Sequence, residues 1–272
     1  MEAKKPAVRL KDNADAAYQL RCYAWNGKLP LSILTNFEEL AVYDCRIRPR
    51  NGDKASVART LYLSLREYAE RWNEIADVFS KEAIKKGSFD KYADTAKKKR
   101  GTAPVDAALL DDIEKWRLDL AKNLALRNPK LDQRELNFAV QMTIDRIVFL
   151  RLCEDRGIED YGQLRDLCEG EDIYDRLKTL FRKADDRYNS GLFYFKADKE
   201  HGDDKPDEIT PKLQIEDKLL KNTIDELYPP QSQYDFSVLP VEILGQVYEQ
   251  FLGKVIRLTA GHRAIRWKTS RR

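Results

Sequence analysis

Residues 31–45 have the sequence LSILTNFEELAVYDC, and this stretch decides the fold of the amino-terminal part of the chain. Leu31–Thr35 and Glu39–Cys45 are rich in the β-branched, aliphatic and aromatic residues that favour strands. The four residues from Thr35 to Glu38 supply a turn between them. We therefore predict a β-hairpin over residues 31–45.

A helix is predicted before the hairpin. Residues 16–25 have helical character, and the pattern stops at Asn26-Gly27, which is a favourable helix exit. A helix followed by two strands makes a small α/β unit. We assign this unit to residues 1–55.

Beyond about residue 60 the spacing of apolar residues becomes helical. Residues at three- and four-residue intervals share one helical face; they are Leu61, Leu65, Tyr68, Ala69 and Trp72. Residues 87–104 are basic and polar, include the run Lys97–Arg100, and contain a glycine and a proline near their end, which is typical of a linker. Residues 56–104 are therefore predicted to be a helix and a basic linker.

Two long helices are predicted next. The first spans residues 105–126 and ends before Asn128-Pro129, because the residue before a proline disfavours the α conformation. The second follows Asp132, a good N-cap with Glu135 three residues later, and ends before Gly157.

The carboxyl-terminal part is also predicted to be helical. Residues 198–211 are polar, acidic and proline-containing, which predicts a loop, and a last helix is expected from Pro240 to about Gly253. The aromatic and aliphatic residues of the long helices are predicted to pack in the core, as are two tryptophans. These residues are Phe138, Met142, Val148, Phe149, Leu152, Trp72 and Trp116. The predicted fold class is α+β and predominantly α, with residues 105–272 forming a helical domain.

Composition narrows the functional classes. The 272-residue chain has no run of about 18 apolar residues and no apolar signal core at its amino terminus, which predicts a cytoplasmic protein without membrane contact. Four cysteines without a CxxC motif and only two histidines argue against a structural zinc site. The net charge of +3 is too small for bulk charge to indicate nucleic-acid binding. The oligomeric state is not indicated.

Four polar residues near the amino terminus could carry chemistry. Glu2 and Lys4 are two positions apart and would share one face of a strand. A carboxylate there could hold a divalent metal ion, and a lysine could position water or neutralise charge developing on a phosphate. Gln19 and Tyr23 lie four residues apart on one face of the predicted helix. We take Glu2 as the metal ligand and all four as candidate catalytic residues.

Each of these features also has a purely structural interpretation. Glu-x-Lys is common in charged proteins, and a glutamine and a tyrosine on one helix face can be ordinary surface residues. Arg46, Arg48 and Arg50 alternate along the strand exit and could contact phosphate, but a solvated strand edge is an equal alternative.

The two motifs in order carry a family resemblance. Glu2-x-Lys4 followed by Gln19-xxx-Tyr23 resembles the core of the PD-(D/E)xK nucleases. Longer phrases, including residues 29–39 (LPLSILTNFEE), 189–193 (NSGLF) and 239–253 (LPVEILGQVYEQFLG), look like Eco57I-like enzymes, which combine restriction and adenine methylation in one polypeptide. The resemblance implies a truncated restriction-endonuclease-like lobe followed by a helical connector. It also implies double-stranded DNA as partner and Mg²⁺ as cofactor.

The sequence departs from the family pattern in two places. In the family a metal-binding aspartate lies on the strand before Glu-x-Lys, whereas this sequence begins at Met1, so Mg²⁺ is expected to bind weakly. Residues 265–272 are unlike the family, which would continue into a fold that binds S-adenosylmethionine. No two glycines form a GxG turn, and Tyr228–Gln231 is predicted to be a loop, not a methyltransferase motif. We therefore expect no methyltransferase domain and a fragmentary or frameshifted gene.

Three functions remain open at this point. The first is a fragment of a combined restriction–modification enzyme, with activity weak or absent in the isolated chain. The second is a non-catalytic helical module for DNA binding or assembly, descended from such an enzyme. The third is an unrelated helical interaction protein.

Overall fold

The computed structural model describes residues 1–95, 104–188, 190–196, 205–240, 254–258 and 265–269, together with positions 242 and 245. The chain divides into two units. Unit 1 comprises Met1–Ala108 and Gln233–Pro240, and unit 2 comprises Leu109–Ser232 and Val241–Arg272. Helices and a small mixed sheet make an α+β fold, as predicted.

Unit 1 is built on a four-stranded mixed sheet. The strands β1 (Glu2–Ala3), β2 (Leu31–Thr35), β3 (Glu39–Asp44) and β4 (Arg59–Ser64) are neighbours in that order. β1 is parallel to β2, and the other neighbours are antiparallel. A parallel pair needs a crossover connection, and helix α1 (Ala14–Asn26) provides it.

The predicted hairpin is confirmed as β2 and β3. The two strands pair continuously from Leu31 opposite Asp44 to Thr35 opposite Leu40. One face of the hairpin packs against α1 through Leu34, Ala41 and Tyr43. The other face also lies in a hydrophobic cluster, so the sheet is covered on both sides within unit 1. Burial on both faces accounts for the nearly continuous apolar character of these strands.

The helix expected from Leu61 to Trp72 is wrong. Residues 59–64 form β4, where Leu61 lies opposite Val42 and Leu63 is fully buried. A 3₁₀ turn follows at Leu65–Glu67, and α2 (Trp72–Phe79) begins only at Trp72. Pairing with β3 therefore overrides the local spacing. Trp72 is also wrongly placed in the predicted core, because it is 57% exposed.

A further helix occupies part of the predicted linker. After the short helix α3 (Lys81–Lys85), helix α4 (Ser88–Thr95) lies within residues 87–104 and packs against the second sheet face. Phe79, Phe89 and Tyr92 lie against this face, and the ring of Phe79 makes edge contacts with both of the others. The prediction of a linker is therefore wrong over α4. The basic run 97–100 lies outside the described residues.

Unit 1 is larger than the α/β unit expected from the sequence. It continues to Ala108 and includes a segment from near residue 240, whereas the predicted boundary was residue 55. The assignment of residues 1–55 to a nuclease lobe stays a prediction, because it concerns function and not contacts.

Unit 2 contains the two predicted long helices. They are α5 (Val105–Arg127), whose first residues to Ala108 belong to unit 1, and α6 (Gln133–Asp155). The capping box of α6 is present: the Asp132 side chain accepts from the Glu135 N–H at 2.8 Å, and the Glu135 carboxylate accepts from the Asp132 N–H at 2.9 Å. Shorter helices follow as α7 (Gln163–Asp166), α8 (Ile173–Tyr188) and α9 (Asp217–Asp225).

The core of unit 2 agrees only in part with the prediction. Trp116 and Val148 are buried as predicted, but Phe138 is 38% exposed and is not a core residue. The last described elements are strands, β5 (Lys254–Leu258) and β6 (Ile265–Thr269), where a helical region was expected. Ile256 is fully buried. Its backbone N–H donates to the Asn137 amide oxygen at 2.8 Å, and its carbonyl accepts from the Asn137 amide nitrogen at 2.9 Å.

The residues from Tyr228 to Gln231 form a turn after α9, as predicted. The peptide bond between Pro229 and Pro230 is cis. The Tyr228 side chain is buried, and its hydroxyl donates to a carboxylate oxygen of Glu154. Tyr228 therefore packs in the unit 2 core.

Two predicted elements cannot be compared. Most of the helix expected from Pro240 to Gly253 and residues 198–204 of the predicted loop lie outside the described residues. Within the part of the chain that the structure describes, no helix is both long and apolar enough to cross a membrane.

Candidate active site

The first strand places Glu2 and Lys4 on the same side of the sheet. Glu2 lies opposite Leu34 and Ala3 opposite Thr35 in the parallel pairing with β2. The Lys4 N–H donates to the Thr35 carbonyl at 2.8 Å and extends this pairing by one residue. Side chains two positions apart on an extended chain point to the same face, and for Glu2 and Lys4 this is the face covered by α1.

The four residues predicted from the sequence are joined side chain to side chain. Lys4 Nζ lies 2.6 Å from Glu2 Oε1 and donates to Gln19 Oε1 at 2.9 Å. Gln19 Nε2 is 3.2 Å from the Tyr23 hydroxyl oxygen, to which it donates. The structure thus brings Glu2, Lys4, Gln19 and Tyr23 together in one chain of polar contacts across β1 and α1. Their catalytic roles stay predictions.

The site is open to solvent. The side chains of Glu2 and Lys4 are 25% and 23% exposed, and Tyr23 is 49% exposed. A large polymeric substrate could therefore reach these groups without any rearrangement of the sheet.

Helix α1 is held rigidly enough to position Gln19 and Tyr23. Asn13 caps its first turn by accepting from the Ala16 N–H at 2.8 Å. Ala17 and Leu20 pack on the sheet through the hydrophobic cluster of the α1 face. Arg21 is 1% exposed and pairs with Asp53 at 2.8 Å, which ties the helix to the loop after β3.

The end of α1 is fixed by a segment that sequence reasoning missed. The Asn26 amide is fully buried, donates to the Gln233 carbonyl at 2.7 Å and accepts from the Asp235 N–H at 3.2 Å. The Trp25 and Tyr234 rings lie 5.8 Å apart. The sequence indicates only that Asn26 ends a helix, because its partners are more than 200 residues away along the chain.

The neighbouring cysteine does not supply a nucleophile. Cys22 lies on α1 beside Tyr18 and Tyr23, and burial raises the pKa of its thiol to about 11. A thiol with this pKa is protonated at neutral pH and is a poor nucleophile.

Metal binding at this site would rest on Glu2. The described residues contain no group of three histidine, cysteine or acidic side chains arranged to hold a metal ion. Mg²⁺ is usually held by one or two carboxylates together with water and substrate phosphates. Glu2 fits as one such ligand.

Two of the three arginines after β3 make contacts within the protein. Arg46 makes a two-point contact with the buried Asp44 carboxylate, at 2.9 and 3.0 Å. Asp44 raises the pKa of this guanidinium through that contact. Arg48 lies 3.5 Å from the Tyr234 hydroxyl, and Arg50 is exposed. Phosphate contact by Arg48 or Arg50 stays a prediction.

Comparison with known proteins gives a strong similarity. The chain is 34% identical, over 265 residues, to the type II restriction enzyme and methyltransferase RM.Eco57I of Escherichia coli. The chain resembles part of an Eco57I-type restriction–modification enzyme. The aligned region covers 95% of this chain and 25% of the length of the relative. No family model and no solved structure matches the chain.

The Eco57I similarity confirms the resemblance predicted from the sequence phrases. It covers 95% of the chain and therefore parts of both units, and it assigns no role to Glu2, Lys4, Gln19 or Tyr23.

Proposed function

We propose that this chain is part of a combined restriction–modification enzyme and that residues 1–55 belong to a PD-(D/E)xK nuclease lobe that cleaves double-stranded DNA. The observation that carries the proposal is the connected set Glu2, Lys4, Gln19 and Tyr23 on adjoining elements. The Eco57I relative is a restriction enzyme and methyltransferase, which supports the same chemistry. The parent would work in the cytoplasm and use S-adenosylmethionine only in a domain outside this chain.

The geometry suggests a role for each side chain. Lys4 presents an ammonium group at the open edge strand, where it can stabilise negative charge developing on a phosphate oxygen. Gln19 accepts from Lys4 and is itself in contact with Tyr23, so it fixes the direction of the ammonium group. Glu2 is the ligand for Mg²⁺. When bound, this ion would polarise the scissile phosphate and lower the pKa of water.

The same geometry explains why the isolated chain should be nearly inactive. Glu2 is paired with Lys4, and among the described residues it belongs to no group of three or more possible metal ligands. β1 is the edge strand of the described sheet, so a preceding strand that carries an aspartate could pair beside it. Such a strand would place the second carboxylate next to Glu2.

The test uses the chain extended at its amino terminus by an aspartate-bearing strand from the parent enzyme. We expect Mg²⁺-dependent nicking of plasmid DNA by the extended protein and very slow or no nicking by the chain alone. Glu2→Ala and Lys4→Ala should abolish nicking, and Gln19→Ala should reduce it partially, because an amide contributes positioning without charge. Glu82→Ala and Lys81→Ala, which change matching exposed side chains at the start of α3, should leave nicking unchanged.

Two outcomes would decide against the nuclease. Equal cleavage by the extended protein with both Glu2 and Lys4 replaced would show that the proposal is wrong. Absence of cleavage with retained DNA binding would favour the alternative, a non-catalytic module for DNA binding or assembly in a restriction–modification system. The observation that favours this alternative is that the described residues contain no group of three or more side chains placed to hold a metal ion.

A further inference from the structure

The tip of the β2–β3 hairpin carries an exposed aromatic ring on a constrained backbone. Phe37 is 74% exposed and has φ of 71°. Bulky residues avoid the left-handed region, and this conformation costs free energy that nothing in the packing of the ring returns. An asparagine or a glycine would adopt this positive φ with less strain. Backbone strain of this kind, retained at an exposed side chain, points to a role in binding.

The tip is held in place by its two preceding residues. The Thr35 hydroxyl accepts from the Phe37 N–H at 3.1 Å and donates to the Glu39 carbonyl at 2.9 Å. The Asn36 side chain is 1% exposed and accepts from the N–H groups of Glu38 and Glu39. Its amide nitrogen donates to the Val8 carbonyl at 2.8 Å. Phe37 is thus projected from a well-anchored turn.

This turn is directly joined to the candidate active site. The Thr35 carbonyl accepts from the Lys4 N–H at 2.8 Å, while the Thr35 hydroxyl holds the Phe37 N–H. A single residue therefore fixes the backbone at both Lys4 and Phe37. Any polymer lying along the edge near Lys4 would pass close to the hairpin tip.

The surface beside the tip offers positive charge. An open cleft of about 680 Å³ is lined by Arg9, Arg66, Leu65 and the tip residues Asn36 and Glu38. Arg9 and Arg66 are exposed and make no ion pair with any residue that the structure describes.

Two acidic residues in or near this cleft, Glu39 and Glu67, are engaged in internal contacts. The Glu39 carboxylate accepts from the Leu10 N–H, the Asn36 amide and the Tyr62 hydroxyl. Burial opposes ionisation of Glu39, but these hydrogen bonds hold its pKa below the usual value. Glu67 is paired with Arg71 and with Ser64. Glu38 also lines the cleft and is exposed, so two cations, Arg9 and Arg66, face one uncommitted carboxylate beside Phe37, and the balance is cationic.

We propose that the hairpin tip is a DNA-contacting wedge: Arg9 and Arg66 bind backbone phosphates, and Phe37 inserts against the bases of duplex DNA lying along the Lys4 edge. The inference rests on the proposed function and extends it to a residue that touches the bases. Cations beside an aromatic ring suit a partner with phosphates and stacked π faces. Inserted apolar side chains partially unstack a base step, and the cost of unstacking is smaller where the duplex is already weakened.

The test measures binding of the whole chain to two short duplexes in EDTA, one fully paired and one with a single central mismatch. A wedge predicts tighter binding to the mismatched duplex. Phe37→Asn should remove this preference and weaken mismatch binding by about tenfold, the loss expected for one stacking contact. It should leave the salt dependence unchanged, whereas Arg9→Ala and Arg66→Ala should each lower the salt slope by about one.

Ile84→Asn provides the matched control, because it removes another exposed hydrophobic residue, from α3. It should retain the mismatch preference. Equal preference in the wild-type protein and in Phe37→Asn would overturn the wedge even if DNA binds. Loss of self-association in Phe37→Asn without a change in DNA binding would assign the ring to a protein contact and overturn it too. Since the assay contains no metal ion and requires no cleavage, a failed nuclease would leave this result intact.

Discussion

Phe37 also leads to a prediction about stability. Its positive φ is strained for a bulky side chain and is tolerated by asparagine. Phe37→Asn should raise the free energy of unfolding by about 1 kcal/mol relative to Phe37→Ala, because both variants lose the exposed ring but alanine keeps the strain. Urea unfolding of the two variants measures the difference. Equal stability would mean that the backbone at the tip relaxes without cost, and the argument from strain would fail.

The buried Asp145 carboxyl should make the free energy of unfolding depend on pH in an unusual direction. Burial raises the pKa of this carboxyl to about 6, against a hydrogen bond from Gln141 and the charge of Arg117. The folded state therefore binds a proton more tightly than the unfolded state, so this group adds stability below the unfolded pKa of about 4 and loses it as pH rises through about 6. Burial likewise lowers the pKa of Arg117 to about 10, which leaves it protonated throughout this range.

The variant Asp145→Asn isolates that contribution. The wild-type protein should lose about 1 to 3 kcal/mol of stability between pH 4 and pH 6 relative to Asp145→Asn. Thermal unfolding of both proteins across this range measures the difference, in which the titration of all other carboxylates cancels. Parallel pH profiles would show that Asp145 titrates normally in the folded state.

At the scale of elements, the capping box of α6 has a predictable strength. Asp132→Ala removes the acceptor for the Glu135 N–H and should cost about 1 kcal/mol of stability. Asp132→Asn keeps a capping oxygen and should cost much less. Chemical denaturation of the two variants distinguishes the cap from a general effect of charge. If the two variants are equally destabilised, the charge near the helix terminus and not the hydrogen bond is responsible.

The elements that the sequence predicted are those with local signals. Helices α1, α5 and α6 have caps or proline boundaries, and the β2–β3 hairpin has two apolar strands around a short turn. β4 was missed because its identity depends on pairing with β3, and its apolar residues happen to continue a helical spacing into the following turn. Helix α4 was missed because its polar surface resembles a linker, while Phe89 and Tyr92 are partly buried against the sheet and the Phe79 ring.

In the candidate site, too, local contacts could be predicted from the sequence and contacts between distant residues could not. Glu2 with Lys4 and Gln19 with Tyr23 could each be paired from the period of a strand or a helix. That Lys4 also meets Gln19 depends on the parallel crossover through α1, which local periodicity does not specify. The sequence indicated only that Phe37 lies in a turn. Its positive φ and its exposed ring, on which the proposed DNA contact rests, became visible in the structure.

At the scale of the molecule, unit 1 is discontinuous in sequence. The chain leaves it after Ala108 and contributes Gln233–Pro240 to it again after the helices of unit 2. This returning segment supplies both backbone partners of the Asn26 side chain. The stability of unit 1 therefore depends in part on residues that follow α9.

This dependence predicts that residues 1–108 alone are less stable than unit 1 in the whole chain. Without Gln233 and Asp235 the buried Asn26 amide loses two hydrogen bonds, and Trp25 loses its contact with Tyr234, which together should cost about 2 to 4 kcal/mol. A peptide spanning residues 230–240 should raise the melting temperature of the fragment in a concentration-dependent manner, because it binds only the folded state. The same peptide with Tyr234→Ala should be a weaker stabiliser, and a fragment carrying Asn26→Ala should respond less to either peptide. If the peptide leaves the melting temperature unchanged, the lobe folds without the returning segment. The two lost hydrogen bonds of Asn26 would then affect only the end of α1.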